Sequence, residues 1–306
     1  MPAPLNGVFA AALTPLTDTL APDHHALIRH CRWLLQHGCD GLAVHGTTGE
    51  ANSFSVDERI GMLEALAGAG IPGAALLPGV GCCAITDTVK LSRAALAIGA
   101  AGVLMLPPFY YKTVTEEGVF AAFAETIERV GDDRLRVYLY HFPQMSAVPV
   151  PLGVIQRLRA RYGAIIAGMK DSSGDFANMR ACATALDDFA VFSGSDEFLL
   201  PLLEAGGAGC ITAVCNVASS LAGEVHAAWK RGELAHARSR QERLNAVRAA
   251  ISSYPLTAAL KEIMADQTGV YAWRNLRPPL TRIDSAACAA LASALDRLGF
   301  APPVVC

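Results

Sequence analysis

Short runs of small and apolar residues, bounded by glycines and polar clusters, alternate over the first two thirds of the chain with longer stretches of helical periodicity. Eight of these runs read as buried strands: Val8–Leu13, Leu42–His45, Ala74–Pro78, Val103–Leu106, Arg136–Tyr140, Ile165–Met169, Ala190–Phe192 and Cys210–Ala213. Seven helices fit between them, starting near Asp23, Val56, Thr86, Thr115, Pro151, Asp175 and Asp196. Asp and Thr are good helix caps, and Pro151 suits a first helical position. A G-x-x-G junction leading into a short apolar run recurs at Gly38–Gly41, Gly70–Gly73, Gly99–Gly102 and Gly206–Gly209, each time after a helix-like stretch. The first glycine suits a left-handed helix cap, and the second the turn into a buried strand. Helix, cap, strand, loop and helix again is the alternation of a parallel sheet wrapped by helices, and eight strands in about 215 residues predict an α/β fold, a TIM (β/α)8 barrel.

From Ala218 onward only helical patterns remain: Leu221–Lys230, Glu233–Ile251, Pro255–Gln267 and Asp284–Leu298. One helix completes the barrel, so residues 1–230 are assigned to the barrel and residues 231–306 to a C-terminal helical region packed on it or on a neighbouring subunit. The linkers at 252–255 and 277–279 are short, which predicts a single structural unit.

Composition narrows the function. The 306 residues carry a formal charge of −3, with 52% hydrophobic and 17% charged residues, which implies a large buried core and no field toward polyanions. Neither nucleic acid nor membrane is expected as a partner; a small molecule is. The first residues lack a signal-peptide pattern and no apolar run reaches membrane-spanning length, so a cytoplasmic protein is expected. Nine cysteines, an odd number without a C-x-x-C, indicate neither a disulfide framework nor a zinc knuckle. The eight histidines show no H-x-H or H-E-x-x-H spacing, so no metal site is expected, and no G-x-G-x-x-G follows the first strand.

Active sites of such barrels lie at the C-terminal ends of the strands, which restricts the candidates. The sixth predicted strand ends in Lys170. Burial there disfavours the charged ammonium and leaves a neutral amine able to attack a carbonyl as a Schiff-base nucleophile. The competing structural reading is a stem that lies along the strand end with its head in solvent. After the second strand, Gly46-Thr47-Thr48-Gly49-Glu50 makes a tight turn whose amides and hydroxyls suit a carboxylate; an ordinary capped turn has the same composition. Tyr140, ending the fifth strand, suits proton relay, or else packing. Pro107-Pro108-Phe109-Tyr110-Tyr111 follows the fourth strand, and Ser193-Gly194-Ser195-Asp196 ends the seventh with small residues that leave room at the barrel mouth.

These motifs resemble the N-acetylneuraminate lyase and dihydrodipicolinate synthase family of class I, pyruvate-type aldolases. The resemblance rests on Gly46-Thr47-Thr48-Gly49-Glu50, Tyr140-x-x-Pro143, Gly168-Met169-Lys170-Asp171, Ser193-Gly194-Ser195-Asp196 and Gly209-Cys210-Ile211-Thr212, in order and spacing, and runs from about Gly7 to the final helices. It implies that Lys170 forms an imine with C2 of pyruvate or another 2-oxo acid, that Tyr140 is the general acid/base, and that Thr48 with Thr47 binds the 2-oxo acid carboxylate. It further implies that Thr47 links Tyr140 to Tyr110 or Tyr111 of the next subunit, in a homotetramer built as a dimer of dimers, and that Gly194 and Ile211 supply backbone lining the site. No cofactor is called for. The partners are then a 2-oxo acid and an aldehyde.

The resemblance is imperfect at Met145, where dihydrodipicolinate synthases carry an arginine in Y-x-x-P-x-R. A thioether does not replace a bidentate carboxylate anchor. A 2-keto-3-deoxy sugar acid or a 4-hydroxy-2-oxoglutarate-type substrate is therefore preferred, with His141, Met145, Ser172 and Ser195 shaping the distal pocket; His141 has the alternative of bonding to backbone. A 4-hydroxy-tetrahydrodipicolinate synthase or a sugar-acid dehydratase using the same imine stays open, as does a non-catalytic sensor or scaffold. A phosphate-sugar barrel enzyme leaves Lys170 unexplained.

Overall fold

The computed structural model of the protein describes residues 5–301; the outer ends of the two stretches set out above, residues 1–4 and 302–306, lie outside the described residues. Seven strands, β1 (Gly7–Ala10), β2 (Gly41–Leu42), β3 (Val103–Met105), β4 (Val137–His141), β5 (Ile166–Asp171), β6 (Ala190–Ser193) and β7 (Gly209–Thr212), form one parallel sheet in the order β2-β1-β7-β6-β5-β4-β3. Its two edges are joined through residues 76–80. Leu76 bridges Leu42, Gly79 bridges Leu104, and the amides of Leu77 and Val80 donate to Leu42 O and Leu104 O at 2.9 Å each. The curled sheet thereby closes as a (β/α)8 barrel.

The eighth stave differs from the expected strand Ala74–Pro78. Gly73–Ala75 is a turn of 3-10 helix, and only the residues after it bridge. Pro72 and Pro78 flank the run and have no amide to donate to a ladder, which shortens what can pair regularly. At the four G-x-x-G junctions the first glycine is left-handed, with φ of 100°, 80°, 70° and 88° at Gly38, Gly70, Gly99 and Gly206. The second glycine of the last junction serves close approach as well: a Cβ on Gly209 would lie 1.9 Å from Gly7 O.

Strand residues divide between two sides. Val8, Val137, Leu139, Met169, Val191 and Cys210 face the surrounding helices, where the two larger hydrophobic clusters lie. Phe9, Tyr138, Tyr140, Phe192 and Ile211 pack with one another inside the barrel. Three expected helix starts are capped as their sequences dictate, Asp23, Thr115 and Asp175 accepting from the amides of Ala26, Gly118 and Asn178, whereas Ala84 and not Thr86 precedes the helix Ile85–Ala97, and the helix after β6 starts at Leu199, beyond Asp196. Pro151 sits one residue ahead of its helix, Leu152–Tyr162. After Cys215–Lys230 come three further long helices, Leu234–Ser252, Leu256–Thr268 and Ser285–Arg297, which pack against one another and the barrel. No helix among the described residues is long and apolar enough to cross a membrane.

Candidate active site

Lys170 faces the barrel interior because of a one-residue irregularity between β4 and β5. Val137 pairs with Ile166, but Tyr138 pairs with Gly168, so Ala167 is an extra residue in β5. Beyond it Tyr140 lies opposite Lys170, and Lys170 opposite Phe192. Without the shift, His141 would oppose Lys170, and the side chain would turn outward with Leu139 and Val137. Gly168 is required at the irregularity, since a Cβ there would lie 2.2 Å from Ala190 O. The lysine is only 5% exposed, and its Nζ lies 4.5 Å from the centroid of the Tyr140 ring.

Both residues line a cavity of about 700 Å³, within the usual size of small-molecule sites. Thr47, Thr48, Ser172, Gly194 and Ser195 line it too, so the structure brings most of the expected residues together. The turn carrying the threonines is fixed from below: Thr14 Oγ1 donates to Gly49 O at 2.8 Å, and the Glu50 amide to Thr47 O at 3.1 Å. Neither Thr47 nor Thr48 donates a hydrogen bond among the described residues, which leaves their hydroxyls and amides for a ligand. After β5, the buried Asp171 holds the next loop, accepting from the Ser173 amide (2.8 Å) and Asn178 Nδ2 (2.7 Å). Gly194 closes on Ser172, whose Oγ would be 2.0 Å from a Cβ at that position.

Several expected residues stand elsewhere. His141 is not a cavity-lining residue; its Nδ1 accepts from the Val150 amide at 3.0 Å, and burial lowers its pKa, favouring the neutral ring. Ile211 is buried inside the barrel below the cavity lining. Gly46 lines a separate chamber of about 20 Å³, shared with His45, Thr47 and Tyr140. Tyr110 and Tyr111 are 72% and 75% exposed, stacked edge to face on the surface and outside both cavities.

Part of the wall comes from residues that the sequence patterns do not single out. Arg248, Leu256, Thr257, Leu280 and Thr281 belong to the C-terminal helical region, and all line the cavity. In the sequence Arg248 is one polar position of an amphipathic helix, and nothing local marks it. Both oxygens of Glu50 reach into the same region, Oε1 to Lys261 Nζ and Oε2 to the Arg277 amide at 3.0 Å. Only a signal linking residues more than 200 positions apart would have found that pair. Among the described residues no cluster of His, Cys, Asp and Glu has a metal-binding arrangement.

Comparison with known proteins identifies the family. The model of the dihydrodipicolinate synthetase family matches residues 4–298. The chain is 37% identical over 295 residues to an uncharacterized DapA-like lyase of Chloroflexus aurantiacus, covering 96% of this chain and 97% of that one. It is 35% identical over 301 residues to the 4-hydroxy-tetrahydrodipicolinate synthase of Kineococcus radiotolerans, covering 98% and 95%. Among solved structures, dihydrodipicolinate synthase from Agrobacterium tumefaciens superposes with a TM-score of 0.85 at 29% identity, covering 95% of this chain and 99% of that one. YagE from E. coli, solved in complex with pyruvate, gives 0.87 at 25% identity, covering 97% and 99%. The chain belongs to the dihydrodipicolinate synthetase family, and with it to the lyases of class I aldolase type.

Proposed function

We propose that the protein is a Schiff-base-forming carbon–carbon lyase that cleaves, or in reverse builds, a 4-hydroxy-2-oxo acid, releasing or adding pyruvate. The burial of Lys170 against Tyr140 at the wall of a ligand-sized cavity carries this reading. The Lys170 amine attacks C2 of the 2-oxo acid and the carbonyl oxygen leaves as water with the proton of Tyr140, giving a protonated imine and a Tyr140 phenolate. As Tyr140 takes the proton of the C4 hydroxyl, the C3–C4 electron pair moves into the imine and an aldehyde departs. The resulting enamine is protonated at C3, and hydrolysis returns pyruvate and the free amine. Thr47 and Thr48, whose donors are unengaged, hold the carboxylate beside C2.

A 4-hydroxy-tetrahydrodipicolinate synthase is the second reading, favoured by the name of the Kineococcus relative and opposed by Met145, which lines the cavity where a carboxylate anchor would be needed. In the same proposal one of the exposed Tyr110 and Tyr111 reaches the site of a neighbouring copy in a homotetramer, which sedimentation velocity tests directly. The primary test is intact mass after incubation with pyruvate and borohydride, followed by peptide mapping. A reduced pyruvate adduct on Lys170 is expected; no adduct with pyruvate or longer 2-oxo acids would leave a non-catalytic relative.

A further inference from the structure

Among the described residues three charged side chains line the cavity: Lys170, Glu197 and Arg248. In the proposed reaction the charge of Lys170 is held at C2 as the protonated imine, so Arg248 is the cationic side chain left for the remote end of the substrate among the described lining residues. It projects from the helix Leu234–Ser252 with its side chain 20% exposed. Its single hydrogen bond among the described residues runs from Nη1 to Asp196 Oδ2 at 2.9 Å. Asp196 is itself immobilised. It is fully buried, accepts from Thr212 Oγ1 at 2.5 Å, and its backbone carbonyl accepts from Gln241 Nε2 at 2.8 Å. The guanidinium is thus aimed by one buried carboxylate and engaged through one nitrogen, which leaves Nε and Nη2 free. A planar guanidinium with an unengaged pair of donors is matched to a carboxylate.

From this geometry we infer that Arg248 is the specificity-determining residue of the cavity, and that the protein prefers 2-oxo acids carrying a second carboxylate at the end remote from the reacting carbonyl. The inference rests on the imine reading given above. Among the described lining residues Glu197 is the one group that opposes it, the Asp196 carboxylate lying behind Arg248 and outside the lining. The Glu197 carboxylate is solvent-exposed and held by Ser195 Oγ at 3.0 Å, so water screens its repulsion more than it screens the half-buried Arg248. A polyhydroxylated, uncharged tail is the alternative that a paired Glu197 and Arg248 would favour.

The experiment compares aldol cleavage of 4-hydroxy-2-oxoglutarate with that of 4-hydroxy-2-oxopentanoate and of a 2-keto-3-deoxy sugar acid, in the wild type, Arg248→Gln, Arg248→Lys and the double variant Arg248→Gln/Asp196→Asn. The double variant removes both charges, so no carboxylate is stranded in the core. Expected results are a preference for the diacid of at least about tenfold in kcat/KM, a loss of about 10–100-fold for the diacid alone in Arg248→Gln and the double variant, and partial rescue in Arg248→Lys. Equal losses for all three substrates, or a wild type that prefers the sugar acid, would overturn the assignment. Borohydride trapping of pyruvate, run in parallel on every variant, separates the two levels. An unchanged adduct without diacid preference removes only the Arg248 role, whereas no adduct in the wild type removes the imine reading and this inference together.

Discussion

Glu50 and Lys261 form an ion pair in which both side chains are completely buried, joining the turn after β2 to the helix Leu256–Thr268 across 211 positions of sequence. Burial by itself lowers the Lys261 pKa, and Glu50 opposes that shift. The second Glu50 oxygen is taken by the Arg277 amide, while the Arg277 guanidinium pairs with Glu58 at 2.5 Å on the helix Val56–Gly68. The turn carrying Thr47 and Thr48 is therefore anchored by the C-terminal region, whose residues also line the cavity.

Breaking this pair from one side strands a charge in the core. Lys261→Met is expected to destabilise the fold by about 3–5 kcal/mol, seen as a lower urea midpoint at unchanged slope. Lys261→Met with Glu50→Gln should recover much of the loss, because no unpaired charge remains. A single variant as stable as the wild type would show that the pair contributes little.

Tyr140 is expected to act after the imine has formed as well as during its formation. Tyr140→Phe keeps the ring against Lys170 and removes the proton carrier, so turnover should fall by about 10²–10⁴-fold while slow borohydride trapping on Lys170 persists. Steady-state turnover close to that of the wild type would exclude the acid/base role.

Thr48 is only 8% exposed and lines the cavity. Thr48→Val keeps its shape and removes the hydroxyl, so the pyruvate inhibition constant should rise by about tenfold, the equivalent of one lost hydrogen bond to a charged group. An unchanged constant would place the carboxylate elsewhere.

Acid sensitivity should come partly from two buried histidines. Burial lowers the His45 pKa to about 3, with Arg59 adding to the effect, and lowers that of His30 to about 4 against the opposing hydrogen bond to Asn216. Both folded values lie below the ordinary 6.5, so each neutral ring contributes stability that is present above pH 6.5 and is lost as pH falls toward 3–4. His45→Asn suits the left-handed backbone there (φ 58°) and should flatten the decline of stability between pH 6.5 and 4 in urea titrations; an unchanged slope would contradict a buried neutral His45.

Much of the molecule was legible in one dimension because the physics involved is local. Glycines that must be left-handed announce the helix ends, and short apolar runs between them announce strands covered on both sides, so the barrel alternation follows from the order of residues. The motifs at strand ends were legible for the same reason: Lys170, Tyr140 and the Thr47-Thr48 turn each sit at a C-terminal strand end, and the fold gathers such ends at one mouth. What the chain order left undecided depends on contacts between distant segments. The direction in which Lys170 points is set by a one-residue register shift against β4, which no periodicity of β5 alone reveals. His141 is turned from the cavity by a bond to the Val150 amide, and Tyr110 and Tyr111 project outward rather than into the site of their own chain. Arg248 gains a place at the cavity only because its helix folds back over the barrel and Asp196 aims it, and Glu50 finds Lys261 only when the C-terminal helices close on the turn after β2. Local propensity and patterning determined the elements and their sequence of use; desolvation and pairing of charges between remote segments decided the shape and lining of the site.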